Sequence, residues 1–350
     1  MIKSNVRIAK IPLFFYYISM NYNSNLSTFD KISEKLTTLN IENKTHFDLT
    51  NKSTMKIHSI AKLFVLPQDF SQLQQTIIIC KTQNSSYFIL GGGSNTIFPD
   101  ESYNGVIIST EKLNKIQIIS KTPLLVECFC GVPMQTLVNF CTKNCLTGLE
   151  EFAGLPGTVG GALYMNARCF EKSINEKIYQ TTHLEISATK AEIITKDYNI
   201  SEWDYKKSPF QQTQNTSPRN LNKIILGAIF KLEQDSQATT KSQEQIQKEI
   251  QQKCNKFISE RKEKGHFKYP SAGSVFKNNH TFGKPSGKII DEAGLKGTQI
   301  RGAQIAPFHA NFIINVNHAT SKDIKDLVTL TQNQVFQKFG YNLEPEIIFL

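Results

Sequence analysis

Two glycine-dense stretches and two isolated polar residues carry the chemistry that this 350-residue chain could do. Residues Gly148 to Ala167 read GLEEFAGLPGTVGGALYMNA, with glycines at 148, 154, 157, 160 and 161, Pro156 among them, and almost no charge after Glu151. Ordinary loops carry Asn, Asp, Ser or Lys to bond water; this one mostly does not. Glycine reaches positive φ and lets a backbone approach a ligand closely, and consecutive bare N–H groups form a concavity suited to phosphate. A tight buried turn between strands is the structural alternative. The second stretch, Tyr87 to Asn95, reads YFILGGGSN. Its first four residues have the length and the aromatic and β-branched content of a buried strand. They run straight into Gly91, Gly92, Gly93, Ser94 and Asn95. The dinucleotide pattern G-x-G-x-x-G with a helix behind it is absent, because TIFPD follows and Pro99 disfavours a helix there. The expectation is a phosphate-binding loop of another kind, with a hinge as the alternative.

Ser274 sits in YPSAGSVFKN between Gly273 and Val275, where small neighbours leave its hydroxyl exposed. No G-x-S-x-G elbow is present, so a hydrolase nucleophile is not indicated. Lys277 and Asn278 stand beside it and could hold a polar substrate. Near the end of the chain, Glu346 follows Pro345 and precedes an apolar run. A carboxylate in such a strand either pairs with a cation or has a raised pKa, which makes it a candidate acid or electrostatic group. A solvent-facing strand end is the alternative, and His309 in FHANFIIN reads as a satisfied histidine.

These residues need a scaffold of two or three modules, which 350 residues can supply. The apolar fraction of 39% with 23 Phe indicates a globular protein. Net charge is +10, from 40 Lys and Arg against 30 Asp and Glu. The charge is mostly dispersed, so the expected surface is solvated and slightly basic, without nucleic-acid or membrane binding. One local cluster, Arg261, Lys262, Lys264, His266 and Lys268, suits an anionic small ligand. Seven cysteines and no C-x-x-C pair suggest neither a disulfide framework nor a zinc site, so a reduced, cytoplasmic protein is expected. Lys3, Arg7 and Lys10 precede the apolar run IPLFFYYISM, which is too short to span a bilayer and lacks a cleavage site; Met20 is a candidate start.

Residues 1–45 read as a polar, poorly packed extension. Strands are expected over LFVLP, 87–90, 106–109 and 124–129, and a helix over 69–80. A second helix starts at Pro133 with Met134, Leu137, Val138, Cys141 and Cys145 on its buried face. Mostly strands fill about 175–232. Composition shifts at Glu233 to a Gln- and Lys-rich segment that becomes a helix bearing Ile246, Ile250, Cys254 and Ile258, so a domain boundary is expected near 233. A last helix has Thr320 and Asp323 as a capping pair and Gly340 as its stop.

Taken together, GGGSN after a strand, LPGTVGGALYMNA, AGSVFKN, IDEAGLKG, HANFIIN and a terminal LEPE, in this order, resemble the UDP-N-acetylenolpyruvoylglucosamine reductase family over residues 46–350, and its shorter subclass in particular. The resemblance implies an α+β protein with a vanillyl-alcohol-oxidase-type FAD-binding module of two subdomains, at 46–110 and 111–232. It implies a C-terminal substrate-binding domain at 233–350 whose last strand returns to the active site. It implies a monomer in which NADPH reduces FAD, and hydride then passes to C3 of the enolpyruvyl group of UDP-N-acetylglucosamine enolpyruvate. A serine protonates C2, and UDP-N-acetylmuramate results, in peptidoglycan precursor synthesis. By the same resemblance Ser274 is the proton donor and Glu346 the catalytic glutamate. Gly91, Gly92, Gly93, Ser94, Asn95, Pro156, Gly157, Thr158, Gly160, Gly161 and Asn166 contact FAD. Tyr205, Lys264, Lys277 and Asn278 bind substrate, Lys264 near the UDP phosphates.

Three departures stand out. The family's Tyr-Arg-x-Ser reads Tyr205-Lys206 here, and lysine keeps the charge but loses the bidentate fork for a substrate carboxylate. The loop's Asn-Ala is followed by Arg168 rather than glycine, so Arg168 is expected to supply the missing guanidinium. The usual Ile-Gly-Gly near the module start reads Ile57, His58, Ser59. Two other readings remain: a flavin oxidase of the same fold acting on a small alcohol or hydroxy acid, and a non-catalytic nucleotide-sugar-binding relative. Oxidases of that kind often tether FAD through a His or Cys in the first glycine loop, and GGGSN has neither.

Overall fold

A computed structural model describes residues 27–187, 190–211, 220–234 and 241–350. The expectations for a signal-like run and for Met20 lie outside these residues. The first unit is a four-stranded sheet in the order Glu42–Asp48, Ile60–Leu66, Ser102–Ser109, Tyr87–Leu90, antiparallel at its first pair and parallel thereafter. Parallel strands are covered on both faces and so read as continuous apolar runs. Ile60–Leu66 does this: Leu63 and Val65 enter one core while Phe64 and Leu66 enter another. The helix Phe70–Thr82 covers one face, started by the Asp69 side chain accepting from the Gln72 N–H at 2.8 Å.

The second unit is an antiparallel sheet in the order Ala191–Asp197, Ile178–Ile186, Lys223–Lys231, Leu124–Phe129, Ile116–Lys121. The helix Met134–Lys143 packs on it behind Pro133 and buries Met134, Leu137, Val138 and Cys141. Cys145 lies past the helix end at φ +58°, yet it is buried in the same core as Leu137 and Cys141, as expected. All seven cysteines are buried free thiols.

The third unit pairs Ser271–Ser274, Phe312–Asn315, Ala303–Ile305 and Gln299–Ile300 antiparallel. The helix Ser321–Phe339 backs it, with the Thr320–Asp323 capping pair in place and Gly340 at φ 72° closing its end. The tail then leaves this unit: Ile348–Phe349 pairs parallel with Thr96–Ile97 of the first.

Two expected boundaries move. Packing begins before residue 46: Thr28–Thr38 is a helix capped by Ser27, and its Ile32 and Leu36 are fully buried beside the first sheet. Polar composition hid this because a helix needs only one apolar stripe to dock. Likewise the helix Gln243–Glu263 does not open the third unit. Its Ile246, Ile250 and Cys254 join the core that holds Leu137, Cys141 and Phe152, so by packing it belongs with the second. The third unit's own core starts at Ala272 and also takes in Met55, Ile57 and Ile97. Leu36→Ala tests the first correction. Truncating a fully buried leucine costs about 2–5 kcal/mol, so a clear drop in the thermal unfolding midpoint is expected; an unchanged midpoint would mean that the N-terminal helix is not docked.

Candidate active site

A cleft of about 500 Å³ opens where the three units meet. Two glycine loops form part of its wall. Gly91–Asn95 leaves the first sheet, Pro156–Gly161 follows the short turn Glu150–Phe152 of the second unit, and the two loops touch: a Cβ on Gly92 would lie 2.5 Å from the Gly157 Cα. Gly93 (φ +63°) presses equally closely on the Lys52 carbonyl. The second stretch is not the open nest its composition suggests. Thr158 caps a six-residue helix, Val159–Tyr164, that contains Gly160 and Gly161, and Gly160 is needed because Cys130 packs against it. Glu150 is buried as well, accepting from the Gly148 N–H at 2.6 Å. Ile89, Ile224 and Ile225 add apolar surface to the cleft.

Ser274, Lys206, Glu346 and Arg168 all line this cleft. Ser274 ends a strand whose register with Phe312–Asn315 shifts between Ser271 and Ser274. Gly273 supplies that bulge at φ +74°; nothing crowds its missing side chain, so the dihedral alone demands glycine. Lys206 Nζ meets Glu346 Oε1 at 2.6 Å, with the two side chains only 15% and 12% exposed. Lys206 holds φ +56°, a left-handed backbone uncommon outside glycine and concentrated at functional sites. The Glu346 main chain is fixed from both sides: its N–H donates to the Val275 carbonyl at 2.7 Å, and its carbonyl accepts from Asn95 Nδ2 at 2.9 Å. Arg168 stands at the lip, its guanidinium 2.5 Å from Glu171 on the solvent side.

Other expected residues fall on the flank and not in the cleft lining. Asn166 is buried beneath the second loop, its amide donating to the Asp204 carbonyl at 2.8 Å. The Tyr205 hydroxyl accepts from the Asn278 N–H at 3.3 Å, Asn278 Oδ1 caps Ser286, and Lys277 pairs with Glu344 at 2.6 Å. Lys264 is largely exposed, 4.0 Å from Glu260. From its basic cluster it is Arg261 and His266 that line the cleft. Arg261 is buried and donates to the carbonyls of Ala153 (3.0 Å) and Glu151 (3.2 Å), bracing the second glycine stretch. The helix period signals that choice: Ile250, Cys254 and Ile258 share a face that one further turn carries to Arg261. Thr54, Phe267 and Tyr269 also line the cleft, and nothing in their local sequence marks them.

His266 packs edge-on to Phe312 (4.8 Å between ring centres), and burial, followed by the charge of Arg261 and the neighbours His309 and Lys264, pushes its pKa down to about 4. The imidazole is therefore neutral in the folded protein, whereas the unfolded chain takes up its proton near pH ~6.5. Its contribution to stability is complete above that pH and declines as pH falls from there towards 4. An NMR titration of the His266 ring is expected to show a midpoint near 4, and His266→Gln is expected to lose less stability than wild type over that acid range. A midpoint at the ordinary histidine value would contradict the packing described.

Comparison with known proteins matches this architecture. Residues 61–183 match the FAD binding domain family, and residues 265–350 match the C-terminal domain of UDP-N-acetylenolpyruvoylglucosamine reductase. The UDP-N-acetylenolpyruvoylglucosamine reductase of Treponema denticola is 42% identical over 300 residues, which is 85% of this chain and 90% of the relative. That of Borreliella burgdorferi is 39% identical over 313 residues, covering 89% and 95%. The crystal structure of the enzyme from Thermus caldophilus superposes with a TM-score of 0.67 at 24% identity, over 88% of this chain and 98% of that one, and so shares the fold. On the identity and coverage of these relatives, the chain belongs to the UDP-N-acetylenolpyruvoylglucosamine reductase family.

Proposed function

We infer that this chain is an FAD-dependent oxidoreductase that uses NADPH to reduce UDP-N-acetylglucosamine enolpyruvate to UDP-N-acetylmuramate, a step of peptidoglycan precursor synthesis. The observation that carries the assignment of roles is the convergence of Ser274, Lys206 and Glu346, distant in sequence, on one cleft walled by two glycine loops. The cleft fits FAD. Its volume lies within the roughly 300–1,000 Å³ of small-molecule sites. Gly91–Asn95 and Pro156–Gly161 both line it, with glycines that let the two loops pack backbone to backbone and offer main-chain groups suited to a pyrophosphate, and Ile89, Ile224 and Ile225 offer apolar contact for a planar ring. Bound FAD supplies the hydride relay between NADPH and the enolpyruvyl carbon.

The protein's part is to orient and to move one proton. Ser274, lifted into the cleft by the bulge, gives its hydroxyl proton to C2. A small hydroxyl suits a reacting carbon crowded by neighbours on both faces. Glu346 and Lys206 hold each other in place, so the lysine cation is already committed to a partner. That leaves Arg168 to offer a planar fork to the substrate carboxylate, provided its guanidinium turns inward from Glu171. The basic groups beside the cleft, with Lys264 outermost, suit the diphosphate. Tyr205, Lys277 and Asn278 complete the substrate contacts from the flank. A monomer in the cytoplasm, serving cell-wall growth, cell shape and division, accords with this role; among the described residues no helix is long and apolar enough to cross a membrane. The lack of a His or Cys in GGGSN to tether a flavin weighs against the oxidase reading.

Two experiments test the assignment. Ser274→Ala is expected to keep the rate at which NADPH bleaches the bound flavin while product formation falls by about 10²–10⁴-fold, the usual weight of a positioned proton donor. Full turnover in that variant would remove Ser274 from the mechanism. Arg168→Ala is expected to raise the KM for the enolpyruvyl substrate by at least about tenfold, the loss of one charge-assisted contact. Wild-type turnover by Arg168→Ala alongside collapse of Lys206→Ala would instead assign the carboxylate to Lys206.

A further inference from the structure

We propose that Asn95 is a positioning residue for Glu346, tying the placement of that carboxylate to the first glycine loop. The proposal rests on the reading of Glu346 as part of the reaction. It begins from an oddity of the fold: Glu346 belongs by sequence to the third unit, yet the chain around it is held by residues of the first. Asn95 makes two bonds to this tail. Its side-chain amide donates to the Glu346 carbonyl at 2.9 Å, and its own carbonyl accepts from the Ile348 N–H at 2.9 Å. The next rungs follow in register, with Ile348 opposite Thr96, Phe349 opposite Ile97, and the Leu350 N–H on the Ile97 carbonyl at 3.1 Å.

On the other side, the tail is hydrogen-bonded to the segment that follows Ser274. The Glu346 N–H donates to the Val275 carbonyl at 2.7 Å, and the Lys277 N–H donates to the Glu344 carbonyl at 2.9 Å. The two peptide groups that flank the Glu346 Cα are thus fixed by different walls, one by the segment just after Ser274 and one by the glycine loop. With both fixed, the side chain can reach only a small region, and Lys206 Nζ occupies it at 2.6 Å. Remove the Asn95 amide and the carbonyl loses its partner, the backbone gains a hinge at 346, and the carboxylate drifts relative to Ser274. Asn95 itself lines the cleft, so a ligand that settles the loop also settles Glu346.

The test uses the FAD-saturated holoenzyme with Asn95→Ala and Asn95→Asp. Aspartate preserves size but cannot donate to the Glu346 carbonyl. Both variants are expected to lower kcat by about 10–100-fold, the range for a small misplacement of a reacting group. Turnover is expressed per bound flavin, so that any loss of FAD from the loop does not enter kcat. If Asn95 acts through Glu346, the losses do not multiply: in a Glu346→Gln background, Asn95→Ala costs less than about threefold more. Amide exchange at Ile348 and Leu350 is expected to accelerate in Asn95→Ala holoprotein. Several outcomes would overturn the proposal: full multiplication of the two losses, wild-type kcat in Asn95→Asp, unchanged exchange at Ile348, or a wild-type kcat per bound flavin in Asn95→Ala, which would make Asn95 a cofactor ligand only. Failure of the wild-type holoenzyme to turn over the enolpyruvyl substrate would sink the functional reading instead, and the exchange arm would still decide Asn95.

Discussion

The close approach of Gly92 to Gly157 is the constraint on which the cleft depends. Two loops from different units meet backbone to backbone, at a separation no side chain allows. This contact sets how closely the two loops lie where the cleft opens beside them. It also explains why the surrounding elements are so thoroughly packed. Glycine loops have little side-chain surface of their own to hold them, so they must be held from behind. Lys52 and Thr54 brace the first, the latter through a 3.2 Å bond from the Thr54 N–H to the Gly93 carbonyl. Arg261 braces the second by spanning the carbonyls of Glu151 and Ala153.

Charge is distributed around this cleft with a division of labour. The Lys206–Glu346 pair is shielded from water, so each partner is held where the other needs it, and truncating either would strand a partly buried charge. Arg168 pairs with Glu171 at the solvent edge of the cleft, where an ion pair contributes little. The cleft thus carries one ion pair held in its interior and one at its lip.

Much of this was legible in the chain. The strand Tyr87–Leu90, the helix started by Asp69, the Thr320–Asp323 cap and the stop at Gly340 are local signals, written by residues that touch one another in sequence. Both glycine stretches, Ser274 and Glu346 stood out because their types were out of place in an ordinary loop or strand. What could not be read was long-range. The Gln- and Lys-rich helix Gln243–Glu263 shows its apolar stripe but not which core receives it. The short cap that turns Val159–Tyr164 into a helix hides behind glycines that usually break one. Lys264 and Arg261 are three positions apart on a helix end, and only the direction of the cleft decides which faces it. Thr54 lines the site because another unit folds over it, a fact no window of sequence holds.

The burial of all seven cysteines has a consequence for durability. A protein built to pass electrons through a flavin works beside a potent reductant and the oxidants it can generate in air, and Cys130 lies on the very lining of the cleft. Sulfur reacts chiefly as thiolate. Burial pushes the thiols of Cys80, Cys130 and Cys141 up to about 12, so at neutral pH essentially none is ionised. Tight packing, usually credited with stability alone, here acts as chemical insulation: it keeps sulfur within reach of a redox centre yet outside the reaction.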